Sequence, residues 1–312
     1  MRVSSSTFPD NFLYQDNLLQ AEQNALQQQA TTGLKFALPE DNPAGMSQVL
    51  NLQASSSANQ QYRTNISDLQ GQASSVSGLL TSLQAIVSQA GEIVTSADGT
   101  ATPTEMTTYA TQVGNLIQQA LQLGNSKDSQ GNYIFGGTAT GSPPFTATTD
   151  SNGNVTGVTY NGNSTVNQVE ISPGVTVSAQ VPGANTSGTG PGGLFINSAT
   201  GADLFNHLIS LRQDIASDNT AAISTTDTQN ISKDETNVLG QVSSNGVLLS
   251  QLQAAGNLAS QQGNNMTTQI SGKTDADLAT TITHLQQTET AYEAALESST
   301  RVMQISLVDF LT

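Results

Sequence analysis

The sequence predicts a mainly helical α+β protein: an elongated antiparallel helical bundle or coiled coil formed by both chain halves, with an inserted small antiparallel β domain. Three observations predict it. Ile66, Leu69, Ala73, Val76, Leu80, Leu83, Val87, Ala90 and Val94 alternate spacings of three and four, an a/d heptad. Val238, Val242, Asn245, Leu249, Leu252, Gly256, Ala259, Met266 and Ile270 repeat that spacing in the other half. Between them, residues 131–199 are rich in Gly, Thr, Asn, Ser and Pro and carry short alternating apolar runs.

In chain order, Phe8, Phe12, Leu19 and Leu26 predict an N-terminal helix whose seam is interrupted at Gln15 and Glu22. Residues 33–43 end it: Gly33 suits a helix C-cap, and Pro39 and Pro43 break a helix, so the segment reads as a hinge. The Ile66–Val94 stripe, flanked by Gln, Ser and Thr, makes a helix of ~43 Å with a narrow seam for one or two partner helices. Thr102-Pro103-Thr104-Glu105 is a capping box with Pro at the first helical position. It opens a helix faced by Met106, Tyr109, Val113, Leu116, Ala120 and Leu123.

Strands are expected at Val155–Tyr160, Val166–Ile171 and Val175–Val181, with hairpin turns at Asn152-Gly153 and Asn161-Gly162. The run Gly188–Gly193 reads as a linker, so the insert is expected to be separable from the helices. Leu204, Leu208, Leu211 and Ile215 face a short helix, and Asn245 in the second heptad is placed to fix register. The last helix carries Leu278, Ile282, Leu285, Tyr292, Leu296, Met303 and Phe310, with gaps at Glu289 and Ser299. The expected division is 1–38 and 271–312 as terminal assembly helices, 39–130 and 200–270 as a helical rod, and 131–199 as a β-rich outer domain. The interrupted terminal seams bury too little to offset ordering entropy alone. Both ends are therefore expected to be disordered or only loosely helical in a free subunit and to order on assembly, against each other and neighbouring subunits.

Composition excludes several functions. Net charge is −16 with eight Lys and Arg, and no basic cluster offers a nucleic-acid surface. No run of ~18 apolar residues would span a bilayer. Met1–Ser6 is followed by polar residues, so no Sec signal is expected. Cysteine is absent, which removes disulfides and thiolate chemistry. The two histidines, His207 and His284, have no second His three or four residues away and read as packing or surface residues; no catalytic residue, cofactor or metal site is expected. Asp150–Asn154 resembles half a calcium loop, but Val155 stands where that loop needs Gly and Asn161 where it needs Glu, so a polar turn is the better reading. Asp275 and Asp277 are placed to serve the start of the last helix.

Three segments resemble the flagellin superfamily. Thr31–Gly45, reading TTGLKFALPEDNPAG, is similar to the bend between the N-terminal helix and the rod. Asn132–Thr138, reading NYIFGGT, resembles the Y-x-F-x-G entry to the β domain of its hook–filament junction members. Asp275–Leu278 and the ending Ile305–Leu311 resemble those junction members more than filament flagellin. Gln89 departs from the Arg common in the family three residues before the Glu matching Glu92. The resemblance implies a non-enzymatic structural subunit of the extracellular flagellum, exported unfolded and assembled as a homo-oligomeric ring. The implied partners are a neighbouring hook-associated junction protein, flagellin and an export chaperone. Assembly would use Phe8, Phe12, Leu19, Leu26, Leu285, Tyr292, Leu296, Met303 and Phe310. The alternatives are filament flagellin or a secreted coiled-coil adhesin or effector.

Overall fold

The computed structural model describes the backbone of residues 7–97 and 99–311 and the side-chain environments of residues 11–97 and 99–301. The order is α1 (Thr7–Thr32), α2 (Pro43–Ser96), α3 (Pro103–Gly124), β1 (Phe145–Thr149), β2 (Val155–Tyr160), β3 (Val169–Ser172), β4 (Val175–Val177), β5 (Ala184–Asn185), β6 (Ile196–Asn197), β7 (Ala202–Asp203), α4 (Leu204–Ala216), α5 (Thr220–Ala222), a π turn (Ile223–Asp227), α6 (Thr228–Thr274) and α7 (Leu278–Leu311). The chain forms two compact units: residues up to Asn59 together with those from Gln261, and Gln60–Ser260. These limits fall inside α2 and α6 rather than at 38 and 271.

In the Gln60–Ser260 unit, α2 and α6 run antiparallel. All nine residues of the Ile66–Val94 heptad are buried. Asn245 is buried opposite them and donates from Nδ2 to the Ala73 carbonyl at 2.9 Å, a cross-helix bond available in one register only. Beyond Val76 the buried face of α2 widens to include Ile86 and Ile93. Two further helices share that core, so a seam sufficient for one partner is no longer enough. The capping box opens α3: Thr102 N–H donates to Glu105 at 2.7 Å, and the Thr102 hydroxyl accepts from the Glu105 N–H. Helix α3 packs on α4, with Val113, Leu116, Ile117, Leu208, Leu211 and Ile215 buried.

The insert has no separate core. Strands β1–β2 and β3–β4 are antiparallel hairpins, while β5–β6 pair in parallel and β6–β7 antiparallel. Phe135, Phe145 and Phe195 from the insert meet Phe205 of α4, with ring centroids 5.0–5.6 Å apart. All four rings belong to the same buried cluster as α2, α3 and α4. Each contributes roughly 1.5–3 kcal/mol by burial, so the insert is held as core and not as an appendage. A smaller cluster closes Ile171 and Ala179 over Ile66, Leu69, Leu252 and Ala259. At the end of the run expected to act as a linker, Gly192 and Gly193 serve close packing instead. A methyl group on Gly193 would lie 2.1 Å from the Ile196 carbonyl oxygen and 2.4 Å from the Asn185 nitrogen.

The turns also differ in part from expectation. Asn152-Gly153 does close the β1–β2 hairpin. Asn161-Gly162 does not close one: the Asn161 N–H donates to the Pro144 carbonyl at 2.7 Å, binding the end of β2 to the chain before β1. The β3–β4 hairpin turns at Pro173-Gly174.

Candidate assembly surface

In the unit formed by the two chain ends, two bends face each other. Gly33 ends α1 at φ 71°, a conformation costly for any residue with a Cβ, and its N–H donates to Gln29 at 2.8 Å. The next residues pair with the break between α6 and α7. Lys35 N–H donates to Thr274 at 2.6 Å, and Ala276 N–H donates to Gly33 at 2.8 Å. Lys35 Nζ also reaches the Gly272 carbonyl at 3.0 Å. Asp41 then accepts from the N–H groups of Ala37 and Leu38. Asn42 caps α2 by accepting from Gly45 at 2.8 Å, with Pro43 as the first helical residue. The segment at Gly33, Pro39 and Pro43 is thus a bonded double bend.

Asp277 caps α7, accepting from the Ala279 and Thr280 N–H groups and from the Thr280 hydroxyl at 2.9 Å. Those bonds, the Thr280 hydroxyl first, hold its carboxyl below the usual range. Asp275 differs from expectation. It accepts from the Ser271 and Thr274 hydroxyls and so closes the end of α6 rather than opening α7.

Helices α1 and α7 pack on each other, and Gln20 Nε2 donates to the Tyr292 hydroxyl at 2.9 Å. Over the described residues each of these helices supplies a partner face for the other. The packed faces are unexpectedly polar. On α7, Thr281, Thr288 and Ser299 are buried, with Leu285, Tyr292 and Ala295 half-buried between them. On α1, Phe12, Leu19 and Leu26 are half-buried, alternating with Asp16 and Gln23. The outward faces also carry large apolar residues: Leu13, Tyr14 and Leu18 on α1, and Leu278, Ile282 and Leu296 on α7, from 38% to 64% exposed.

Of the residues singled out for assembly, Phe12, Leu19, Leu26, Leu285 and Tyr292 lie along the α1–α7 seam and Leu296 faces outward. Phe8, Met303 and Phe310 lie outside the residues whose side chains are described. Ile66, Leu69, Val76, Leu80, Leu83, Val87 and Val94 are buried in the other unit. Leu13, Tyr14 and Leu18 went unread because they break the a/d phase; their signal was apolar character outside the seam.

His207 Nδ1 lies 2.8 Å from Asp234 Oδ2, and Asp234 Oδ1 accepts from the Asp203 N–H at 2.9 Å. This pair ties α6 to the start of α4 within the fold. Asp150 and Asp128 head matching turns, D-S-N-G-N and D-S-Q-G-N. In each, one carboxylate oxygen accepts two backbone N–H bonds and the other accepts from the Asn side chain four residues on. These oxygens face donors, which a cation site would not present. Among the described residues no group of three or more acidic or histidine side chains is placed to hold a metal ion.

Residues 13–140 match the family described as the bacterial flagellin N-terminal helical region. Flagellar hook-associated protein 3 of Escherichia coli (strain K12) is 26% identical over 316 residues, covering 96% of this chain and 98% of that protein. The protein of the same name from Salmonella typhimurium (strain LT2) is 29% identical over 151 residues, 46% of each chain. Among solved structures, a flagellar hook-associated protein from Vibrio parahaemolyticus is similar with a TM-score of 0.63 at 22% identity, covering 75% of this chain and 100% of that one. The hook-associated protein-3 of Legionella pneumophila gives 0.59 at 14% identity, covering 72% and 98%. The matched N-terminal helical region, the helix–insert–helix order and 26% identity along nearly the whole of one relative make this chain similar to flagellar hook-associated proteins.

Proposed function

We propose that the chain is a structural subunit of the bacterial flagellum that joins hook to filament, and that it binds its neighbours through the outward faces of α1 and α7. One observation carries this reading: the terminal pair places Thr281, Thr288 and Ser299 inside and Leu13, Tyr14, Leu18, Leu278, Ile282 and Leu296 outside. A helix pair selected only for its own stability would do the reverse. Covering such side chains is worth roughly 1.5–3 kcal/mol each at full burial, ample to drive assembly once several are covered together.

The neighbours are other copies in a ring, with a hook-associated junction protein on one side and flagellin on the other. The chain is exported unfolded, escorted by a chaperone, and acts outside the cell. Gly33, Pro39 and Pro43 form the hinge that sets the terminal pair, and the backbone bonds to Thr274 and Ala276 make α1 and α7 turn together. The buried α2 seam keeps the rest of the subunit stiff. The work is mechanical and no catalytic role is proposed; the relatives bear the names of flagellar hook-associated proteins.

A deletion strain tests this. It is expected to lose swimming and to leak flagellin into the medium, and the chain is expected to be a minor component of sheared filaments. Retained swimming would favour a secreted adhesin or effector. The chain as the major filament component would make it filament flagellin.

A further inference from the structure

Two of the chain's eight Lys and Arg residues meet at one pocket, and neither is ion-paired among the described residues. The pocket lies in the unit formed by the chain ends, beside the bend after α1. Its volume is about 480 Å3, and Gln28, Gln29, Thr32, Lys35, Phe36 and Lys273 line it. The bond from Lys35 N–H to Thr274 sets the two lysines beside each other across the paired bends. A neutral oxygen holds each ammonium: the Gly272 carbonyl takes Lys35 Nζ at 3.0 Å, and Gln48 Oε1 takes Lys273 Nζ at 2.6 Å. Such acceptors fix a charge in place without cancelling it. Both lysines are exposed. The acids at hand are engaged elsewhere. Asp41 accepts from the N–H groups of Ala37 and Leu38. Asp275 is near enough to interact with the Lys35 charge but directs its oxygens to the Ser271 and Thr274 hydroxyls. A chain with 24 acidic residues thus leaves two neighbouring cations open.

We propose that this pocket receives two carboxylates of a second copy of the chain, Glu289 and Glu293 of the neighbouring α7; the inference rests on the assembly role proposed above. These glutamates are about one turn apart, ~6 Å along the helix, and can approach one pocket together. They fall between Ile282 and Leu296 at helical spacing, so they share the outward face that those exposed residues mark. Neither glutamate forms an ion pair among the described residues, whereas Glu297 is held by Arg301 at 2.6 Å. Within one chain they do not reach the pocket: Tyr292, between them, is bonded to Gln20, far up α1 from Lys35. The occupant is a second copy because each copy carries a charge of −16. Contact between such chains needs a place where the acids of one meet the bases of the other.

The test is swimming by a deletion strain that carries charge-exchanged chains. Lys35→Glu/Lys273→Glu and Glu289→Lys/Glu293→Lys should each reduce the swimming halo to that of the deletion strain, with the Tm of the purified chain unchanged. The four substitutions together should restore the halo, because the charges are then exchanged across the contact. Should the Lys→Glu pair disturb the bend, Lys35→Gln/Lys273→Gln serves instead: it keeps a donor at each position without the charge and should also lose swimming. Zero-length carbodiimide coupling of sheared flagella gives a second measure. It should join Lys35 or Lys273 to Glu289 or Glu293 and yield a dimer of the chain. Swimming by the Lys→Gln pair, a folded four-fold variant that stays immotile, or absence of those links would each overturn the inference. A deletion strain that swims would instead remove the assembly role itself, so the two failures are distinct.

Discussion

The α2 seam of the Gln60–Ser260 unit and the α1–α7 pair of the terminal unit use the same alternation of three and four to opposite ends. In the first, all nine apolar heptad residues are turned inward. In the second, hydroxyl and amide side chains share the inner face and six large apolar residues stand outside. Period identifies a helix, but it says nothing about which molecule covers the apolar face. Where the stripe is satisfied within the chain, the product is a rigid core. Where it is not, the product is a surface.

The sharpest way to break this comparison is to put a charge into each face. Leu80 is 1% exposed, and Leu80→Asp leaves a carboxylate without a partner in the core; the expected loss is about 3–5 kcal/mol, read as a large fall in Tm. An unchanged Tm would mean that the α2 face is wrongly assigned. The next largest effect belongs to the insert. Phe195→Ala removes a fully buried ring that touches Phe135, Phe145 and Phe205. It should cost about 3–5 kcal/mol and lower the melting of the helices along with the strands. Two separate transitions with the helical one unmoved would restore the insert as an independent domain.

The helical architecture was legible because the heptads of α2 and α6 and the capping box of α3 are local patterns. Asn245 was legible as a register device for the same reason. What could not be read depends on groups distant in sequence. Phe135, Phe145, Phe195 and Phe205 form one cluster, and no periodicity links them. Glycines near 193 look like a flexible linker by composition, whereas the carbonyl of Ile196 and the nitrogen of Asn185 leave room for nothing larger. The π turn has no sequence signal of its own. On α7 the residues 285, 292 and 299 were placed on the inner line, but its alternate positions were misplaced by one. The rule that apolar residues turn inward chose Ile282 and Leu296, with Glu289 as a gap between them, over Thr281, Thr288 and Ala295.

A smaller effect should come from Asn245. Its Nδ2 is bonded to Ala73, but Oδ1 is buried with no partner among the described residues. Asn245→Leu removes both the bond and the unsatisfied oxygen, so stability should change by no more than ~1 kcal/mol, in either direction. Loss of the polar marker should instead appear as register heterogeneity, seen as broadened or doubled resonances for residues near Ala73. A single sharp set would assign the register to the apolar packing alone.

The smallest effect on the isolated chain is expected at Ile282, and it bears most directly on the comparison. Ile282 is 48% exposed, so Ile282→Asp places its charge in water and should move Tm by no more than about 0.5 kcal/mol equivalent. Thr281, one residue away, is buried. Thr281→Asp should destabilise the terminal unit, visible as faster amide exchange along α1 and α7. If α7 is an assembly surface, Ile282→Asp should still abolish swimming, since the outward face must be covered by a neighbour. The two adjacent substitutions thus separate folding from assembly. A stable Ile282→Asp chain that restores swimming to a deletion strain would show that the outward face is not used. A Thr281→Asp chain as stable as the wild type would show that the α7 phase is drawn wrongly.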